Sequence, residues 1–167
     1  YEVRAVDGPE QLEPGGTLLA IQPQALTAER LVALDRWVRE GGRLVLLADL
    51  SLTWESSRPL GDRFRPPFSF PDTGLLAHWG LTLERESIPT TDLAPQDLGN
   101  GITVEASSFG ALTARGNACR LSPGGRVARC RIGEGQVTVV ADADFAMREA
   151  IPGNQQAIVR LVGELIG

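Results

Sequence analysis

From Thr17 to Ala48 the chain reads as an apolar run, a break, an amphipathic stretch, a second break and another apolar run, and few arrangements satisfy that order. Thr17–Ile21 (TLLAI) is almost continuously apolar, the mark of a strand covered on both faces, and Pro23 stops it. Thr27 is placed to cap a helix, with Glu29 in its first turn. Leu31, Leu34 and Val38 share one helical face beside Trp37, and Gly41-Gly42 ends the helix as a left-handed cap would. Arg43–Ala48 (RLVLLA) is a second buried strand. Two buried strands joined by a helix through short turns form a right-handed βαβ unit with parallel strands.

The rest of the chain follows a different grammar. Tyr1–Val6 alternates apolar and polar residues and predicts a short strand. Residues 55–73 carry four prolines and three phenylalanines without periodicity, which predicts a long loop or lid. A short helix is expected over Asp72–Trp79, a strand over Leu81–Arg85, and irregular acidic chain over 86–101. After Ile102 the segments ITVEA, NACRLS, RVARCRI and QVTVVA predict shorter strands, with turns at Pro123-Gly124-Gly125 and Gly133-Glu134-Gly135. Asn154 is placed to cap a last helix with an apolar stripe of Ala157, Ile158, Leu161, Val162, Leu165 and Ile166.

Composition excludes several function classes. The 167 residues suit a single domain, and 43% apolar content is enough for a real core. A net charge of −5 argues against a nucleic-acid partner. All sixteen basic residues are arginine, so Schiff-base chemistry and P-loop phosphate binding are ruled out. The sequence opens at Tyr1 and its only methionine is Met147, so it is expected to be a piece of a longer protein. No stretch approaches the roughly 18 apolar residues of a membrane span.

Two stretches, LLAIQPQALTAERLVALDRWVREGGRLVLLAD and GEGQVTVVADADFAMREAIPGNQQAIVRLV, resemble the DUF4350 domain family, related to GldG-like auxiliary proteins. The shared parts are the strand–Pro–helix–GG-R–strand unit and the G-x-G-x-V-x-V-x-x-D-x-D-F…N ending. The resemblance implies an α/β fold similar to class I glutamine amidotransferases, a three-layer flavodoxin-like sandwich with a mainly parallel sheet. An antiparallel hairpin near 117–132 is expected beside it. The resemblance also implies a helix ahead of the strand that begins at Tyr1. It further implies a membrane-anchored bacterial parent, this domain on the extracytoplasmic side, and a neighbourhood of MoxR-type ATPases and other membrane-complex proteins.

In an amidotransferase-like fold a cysteine nucleophile would follow the strand ending at Ala48. Asp49-Leu50-Ser51 stands there instead, so no catalytic residue and no cofactor is expected. A hydrolase would have to use Ser51, for which His78 is the available partner, or a carboxylate such as Asp49. The candidate binding crevice comprises Asp49, Ser51, Asp142 and Asp144, because ligands of open parallel sheets bind beyond the carboxyl ends of strands. Its carboxylates could hold a cation such as Mg²⁺ or Ca²⁺, accept bonds from sugar hydroxyls, or simply tie down loops through backbone N–H groups. The last reading is preferred, and no residue is assigned as a metal ligand.

Cys119 and Cys130 lie at equal distances from the midpoint between Gly124 and Gly125, so a hairpin folded there sets them opposite each other. A disulfide and two buried thiols both remain open, since a two-residue turn would put them at a hydrogen-bonded pair. Trp54, Phe64, Phe68 and Phe70 could line a groove or plug the loop onto the core. Three functions are consistent with these residues: a non-catalytic binding or interaction domain, which is favoured, a degenerate hydrolase, or a structural spacer in a membrane complex.

Overall fold

The computed structural model describes residues 2–85, 92–147 and 151–167. The predicted βαβ unit is present. Strand β1 (Thr17–Ile21) runs parallel to β2 (Arg43–Leu47), with helix α1 (Ala28–Arg39) between them. The Thr27 hydroxyl accepts the Arg30 N–H at 3.4 Å and so caps α1. At the other end Gly41 adopts φ 106°. Its N–H reaches the Val38 carbonyl and that of Gly42 reaches Trp37, which closes the last turn as a Schellman motif.

β2 lies inside the main sheet, next to β1, and is buried on both faces from Leu44 to Leu47. Its second neighbour is β9 (Gly135–Val140), again parallel. Beyond β9 the direction reverses: β8 (Val127–Ile132) and β7 (Cys119–Leu121) complete the order β1-β2-β9-β8-β7 by antiparallel pairing. Two further antiparallel pairs lie outside this sheet. β3 (Leu81–Arg85) pairs with β6 (Gly110–Ala114), and β4 (Ala94–Gly99) with β5 (Ile102–Ala106). Helices α2 (Leu75–His78) and α3 (Asp144–Met147) are single turns, while α4 (Pro152–Ile166) packs on β5, β1 and β2.

The expected three-layer flavodoxin-like sandwich with a mainly parallel sheet is therefore corrected. A parallel pairing needs a long crossover, usually a helix. Between β2 and β9 the longest helix among the described residues is the four-residue α2. The chain there turns back on itself in hairpins, so only β1, β2 and β9 run parallel and the domain becomes a mixed, strand-rich one. The hairpin expected near 117–132 is β7–β8.

Four local expectations also change. Glu2–Val6 forms no strand, and Tyr1 lies outside the described residues. β4 occupies part of the segment read as irregular, and 86–91 lies outside the described residues. β6 (GALTA) is a strand that the sequence reading passed over. Asn154 does not cap α4, which begins instead at Pro152, a residue suited to the first helical position. The Asn154 side chain accepts the Glu105 N–H and donates to the Glu105 carbonyl, both at 2.9 Å, joining α4 to β5 as a strand neighbour would.

Gly135 shows why the glycine pair before the last strand is there. A Cβ on Gly135 would lie 1.9 Å from the Val38 carbonyl oxygen and 2.4 Å from that of Gly42, both backbone atoms. The end of α1 thus sits directly on the start of β9. Gly135→Ala is expected to destabilise the domain by about 3 kcal/mol or more. Gly163→Ala, within α4 and with open space at its Cβ, should stabilise by about 0.5–1 kcal/mol. Urea unfolding of the two variants checks both signs.

Candidate functional site

The carboxyl ends of β2 and β9 are adjacent, and Asp49 follows one while Asp142 and Asp144 follow the other. The three side chains converge: each offers an oxygen, and these oxygens lie within 4.8 Å of one another. The cluster is closed, with Asp49 3%, Asp142 0% and Asp144 2% exposed. It is not the open crevice a sugar would enter.

The partners differ sharply among the three. Asp144 accepts from Thr53 N–H, Thr53 hydroxyl (2.7 Å), Trp54 N–H (2.9 Å) and Ser108 hydroxyl (3.1 Å). It pins the segment after β2 to the start of α3. Asp142 Oδ1 accepts the Phe145 N–H at 3.1 Å, and Asp49 Oδ1 the Ser51 N–H at 2.6 Å. Asp49 Oδ2, Asp142 Oδ2 and Ser51 Oγ are buried with no hydrogen-bond partner.

Gln22 completes the wall. It sits at φ 43°, and its side chain brackets Asp49 by accepting the Asp49 N–H at 2.8 Å and donating to the Asp49 carbonyl at 2.9 Å. It also reaches the Pro67 carbonyl at 3.0 Å. Gln22, Thr53, Ser108 and Arg85, whose guanidinium donates to the Leu50 carbonyl, were not singled out from sequence. The available signal was a lone polar residue at the end of an apolar strand, just before Pro23.

Ser51 and His78 are not brought together. His78 contacts Arg39 (3.1 Å) and Asp35 (3.6 Å) near the end of α1, which leads into the start of β2. Ser51 follows the opposite end of that strand.

The segment 49–73 is fastened at its root and open at its tip. Phe70 N–H bonds the Asp49 carbonyl and Leu52 N–H the Phe68 carbonyl, so the two arms are paired. Gln24 holds the Arg65 carbonyl. Trp54 and Phe70 pack on the core, whereas Leu60, Phe64 and Phe68 are 79%, 58% and 59% exposed. Arg58 and Arg63 lie over the Phe64 ring and Arg65 over Phe68. A shallow pocket of about 270 Å³ lies here, lined by Leu60, Arg63, Arg65, Pro66 and Phe68 among others. The phenylalanines thus divide between the two expected roles.

Cys119 and Cys130 face each other in register and their sulfurs are bonded at 2.01 Å. The connection is a four-residue loop rather than a two-residue turn. Ser122 N–H reaches the Val127 carbonyl, and Arg131 N–H that of Ala118. Counting rungs between those bonds puts the cysteines at a non-hydrogen-bonded pair, where strands approach more closely, and the Cα atoms are 4.0 Å apart.

Fold and site together define a strand-rich domain with a mixed sheet, whose parallel strands end in a closed group of carboxylates beneath an anchored loop. The chain belongs to the DUF4350 family: the family model, described as a domain of unknown function, matches residues 1–161. No curated protein matches the chain. Among solved structures, the mmIFT52 N-terminal domain is similar at 13% identity and TM-score 0.58, over 89% of this chain and 75% of that one. A beta-galactosidase from Bacillus circulans sp. alkalophilus is similar at 15% identity and TM-score 0.55, over 89% of this chain. The exo-beta-1,4-mannosidase Op5Man5 from Opitutaceae bacterium strain TAV5 is similar at 15% identity and TM-score 0.52, over 95% of this chain. The chain spans only 22% and 26% of those two enzymes. At such identities the likeness is one of fold alone. The likeness to the mmIFT52 N-terminal domain accompanies the mixed topology rather than a flavodoxin-like sandwich.

Burial pushes Asp49 up to about 6, and the Asp144 charge adds to the rise while the N–H groups of Ser51 and Ala143 oppose it. Burial, with the charges of Asp49 and Asp144, holds Asp142 well above the carboxylate range. A carboxyl whose pKa is higher folded than unfolded binds extra protons in the native state. Its favourable effect is complete below about pH 4 and is lost as pH rises through about 6. In EDTA-treated protein the melting temperature should therefore be higher at pH 5 than at pH 7.5. Asp49→Asn should flatten that slope and recover up to about 3 kcal/mol at pH 7.5. Thermal melts across the range check both.

Proposed function

We propose that this domain is a non-catalytic binding or interaction module of a membrane-anchored bacterial protein, held on the extracytoplasmic side of the membrane. The observation that carries the reading is the loop 55–73. Its root is tied to buried groups, and its tip presents Leu60, Phe64 and Phe68 interleaved with Arg58, Arg63 and Arg65. Exposed aromatics braced by arginines are the composition that anchors protein interfaces. Ordering the loop in advance lowers the entropic cost of docking. A partner matched to this surface offers apolar grooves for the rings and carboxylates for the guanidinium groups. The membrane-complex proteins expected in the neighbourhood of MoxR-type ATPases supply candidates.

Two observations support the remaining parts of the reading. A disulfide suits an oxidising compartment. The Ser51 hydroxyl has no hydrogen-bond partner, and His78 is engaged elsewhere. No helix among the described residues is long and apolar enough to cross a membrane, so an anchor would be supplied by other parts of the parent protein.

A photo-crosslinking residue placed at Phe64 or Phe68 in the full-length protein, in its own membrane, is expected to capture a discrete partner. The same residue at Val32 or Val159, exposed on α1 and α4, should not. Phe64→Ala with Phe68→Ala should abolish that complex while changing stability by no more than about 0.5 kcal/mol per site. Equal capture at Val159, or hydrolysis of an ester or amide that Ser51→Ala removes, would overturn the reading. The extracytoplasmic placement has its own check. Alkylation of denatured, unreduced protein from the native host should leave both cysteines unmodified, and modification of both would refute it.

A further inference from the structure

We propose that Asp49, Asp142 and Asp144 form a binding site for a hard divalent cation such as Ca²⁺, which locks the root of the displayed loop. Loop-tying alone accounts for Asp144, whose oxygens are supplied with donors from Thr53, Trp54 and Ser108. It does not account for the other two. Asp49 Oδ2 and Asp142 Oδ2 belong to side chains 3% and 0% exposed, and no donor stands in hydrogen-bond geometry to either oxygen. Buried acceptors are almost always matched, and each one left unmatched costs free energy. The Ser51 hydroxyl oxygen, close by through the Ser51 N–H bond to Asp49, is buried and unmatched as well.

Among the described residues, no cationic side chain is hydrogen-bonded to the three carboxylates. Three carboxylates face one another, and the guanidinium whose charge acts on Asp49 is Arg85, an exposed group held by the Leu50 carbonyl. The donor set is all oxygen, without histidine or thiolate, and that selects hard cations over zinc or copper. Oxygens on opposite sides of Ca²⁺ stand roughly 4.6–5.2 Å apart, from metal–oxygen distances of about 2.3–2.6 Å. Carboxylate oxygens within 4.8 Å of one another fall inside that span. Asp49 and Asp142 would be its principal ligands. Asp144 contributes charge and, at most, a shared oxygen.

The site does not rest on the interaction reading: the ion can bind whether or not the loop has a partner. EDTA-stripped protein is melted at pH 7.5 in CaCl₂ or MgCl₂ series, against NaCl of matched ionic strength. Equilibrium dialysis against ⁴⁵Ca²⁺ gives the stoichiometry. The expected result is a saturable rise in melting temperature, about 5 °C or more at a hundredfold excess over Kd, with one ion per chain. The rise should be lost in Asp142→Asn and in Asp49→Asn. Two substitutions are used because either protein alone could fail to fold, and dialysis of the unmodified chain needs neither. No shift beyond the NaCl control, a shift retained in both variants, or dialysis stoichiometry near zero would each overturn the site. Stabilisation on lowering pH without any response to either metal would show that protons, not a cation, neutralise the cluster.

Discussion

The carboxylate of Asp144 is the contact on which the loop-bearing end of the domain depends. A buried carboxylate is tolerable only when donors surround it, and here they come from the segment after β2 and from the turn between β5 and β6. Because the donors are mostly backbone N–H groups and hydroxyls rather than a neutralising cation, the group fixes geometry as well as charge. Gln22 acts in the same way from β1, clasping the backbone of Asp49. The two side chains hold the chain where it leaves the parallel part of the sheet, and everything displayed above inherits that position.

The sheet itself is a compromise between two ways of pairing strands. Its first half is built by a helical crossover, with α1 seated so closely on β9 that only hydrogen fits at Gly135. Its second half is built from hairpins, which need no helix but leave a short edge strand. The disulfide between β7 and β8 sits at that edge, where cross-links compensate for a strand of only three residues.

How much of this could be read from residues alone follows from how local each signal is. The βαβ unit was legible because Thr27, Gly41-Gly42 and the two apolar runs all act within a few positions of themselves. The hairpin around Pro123 was legible for the same reason, although the loop length, and with it the type of pair that the cysteines occupy, was not. β4 was obscured by Pro95 and β6 by its lack of β-branched residues other than Thr113; both are strands because of their partners. The alternation in Tyr1–Val6 misled, since among the described residues Glu2–Val6 has no neighbouring strand to pair with. At the site, the convergence of Asp49, Asp142 and Asp144 followed from strand order. Their burial, the clasp by Gln22 and the separation of His78 from Ser51 depend on side-chain placement across long stretches of chain, which no periodicity encodes. The flavodoxin-like expectation failed by extending a sound local unit to the whole sheet.

The paired arms of the loop have an evolutionary consequence. With Phe70 bonded to Asp49 and Leu52 to Phe68, the entropic penalty of closing the loop is met at its base, and the mostly exposed residues 57–64 lie outside the core. Length and side chains at that tip can then drift with little thermodynamic penalty to the rest of the molecule. Related chains that keep the aspartates and the glutamine are free to present quite different tips, so that one scaffold can acquire new recognition by exchanging a single surface segment.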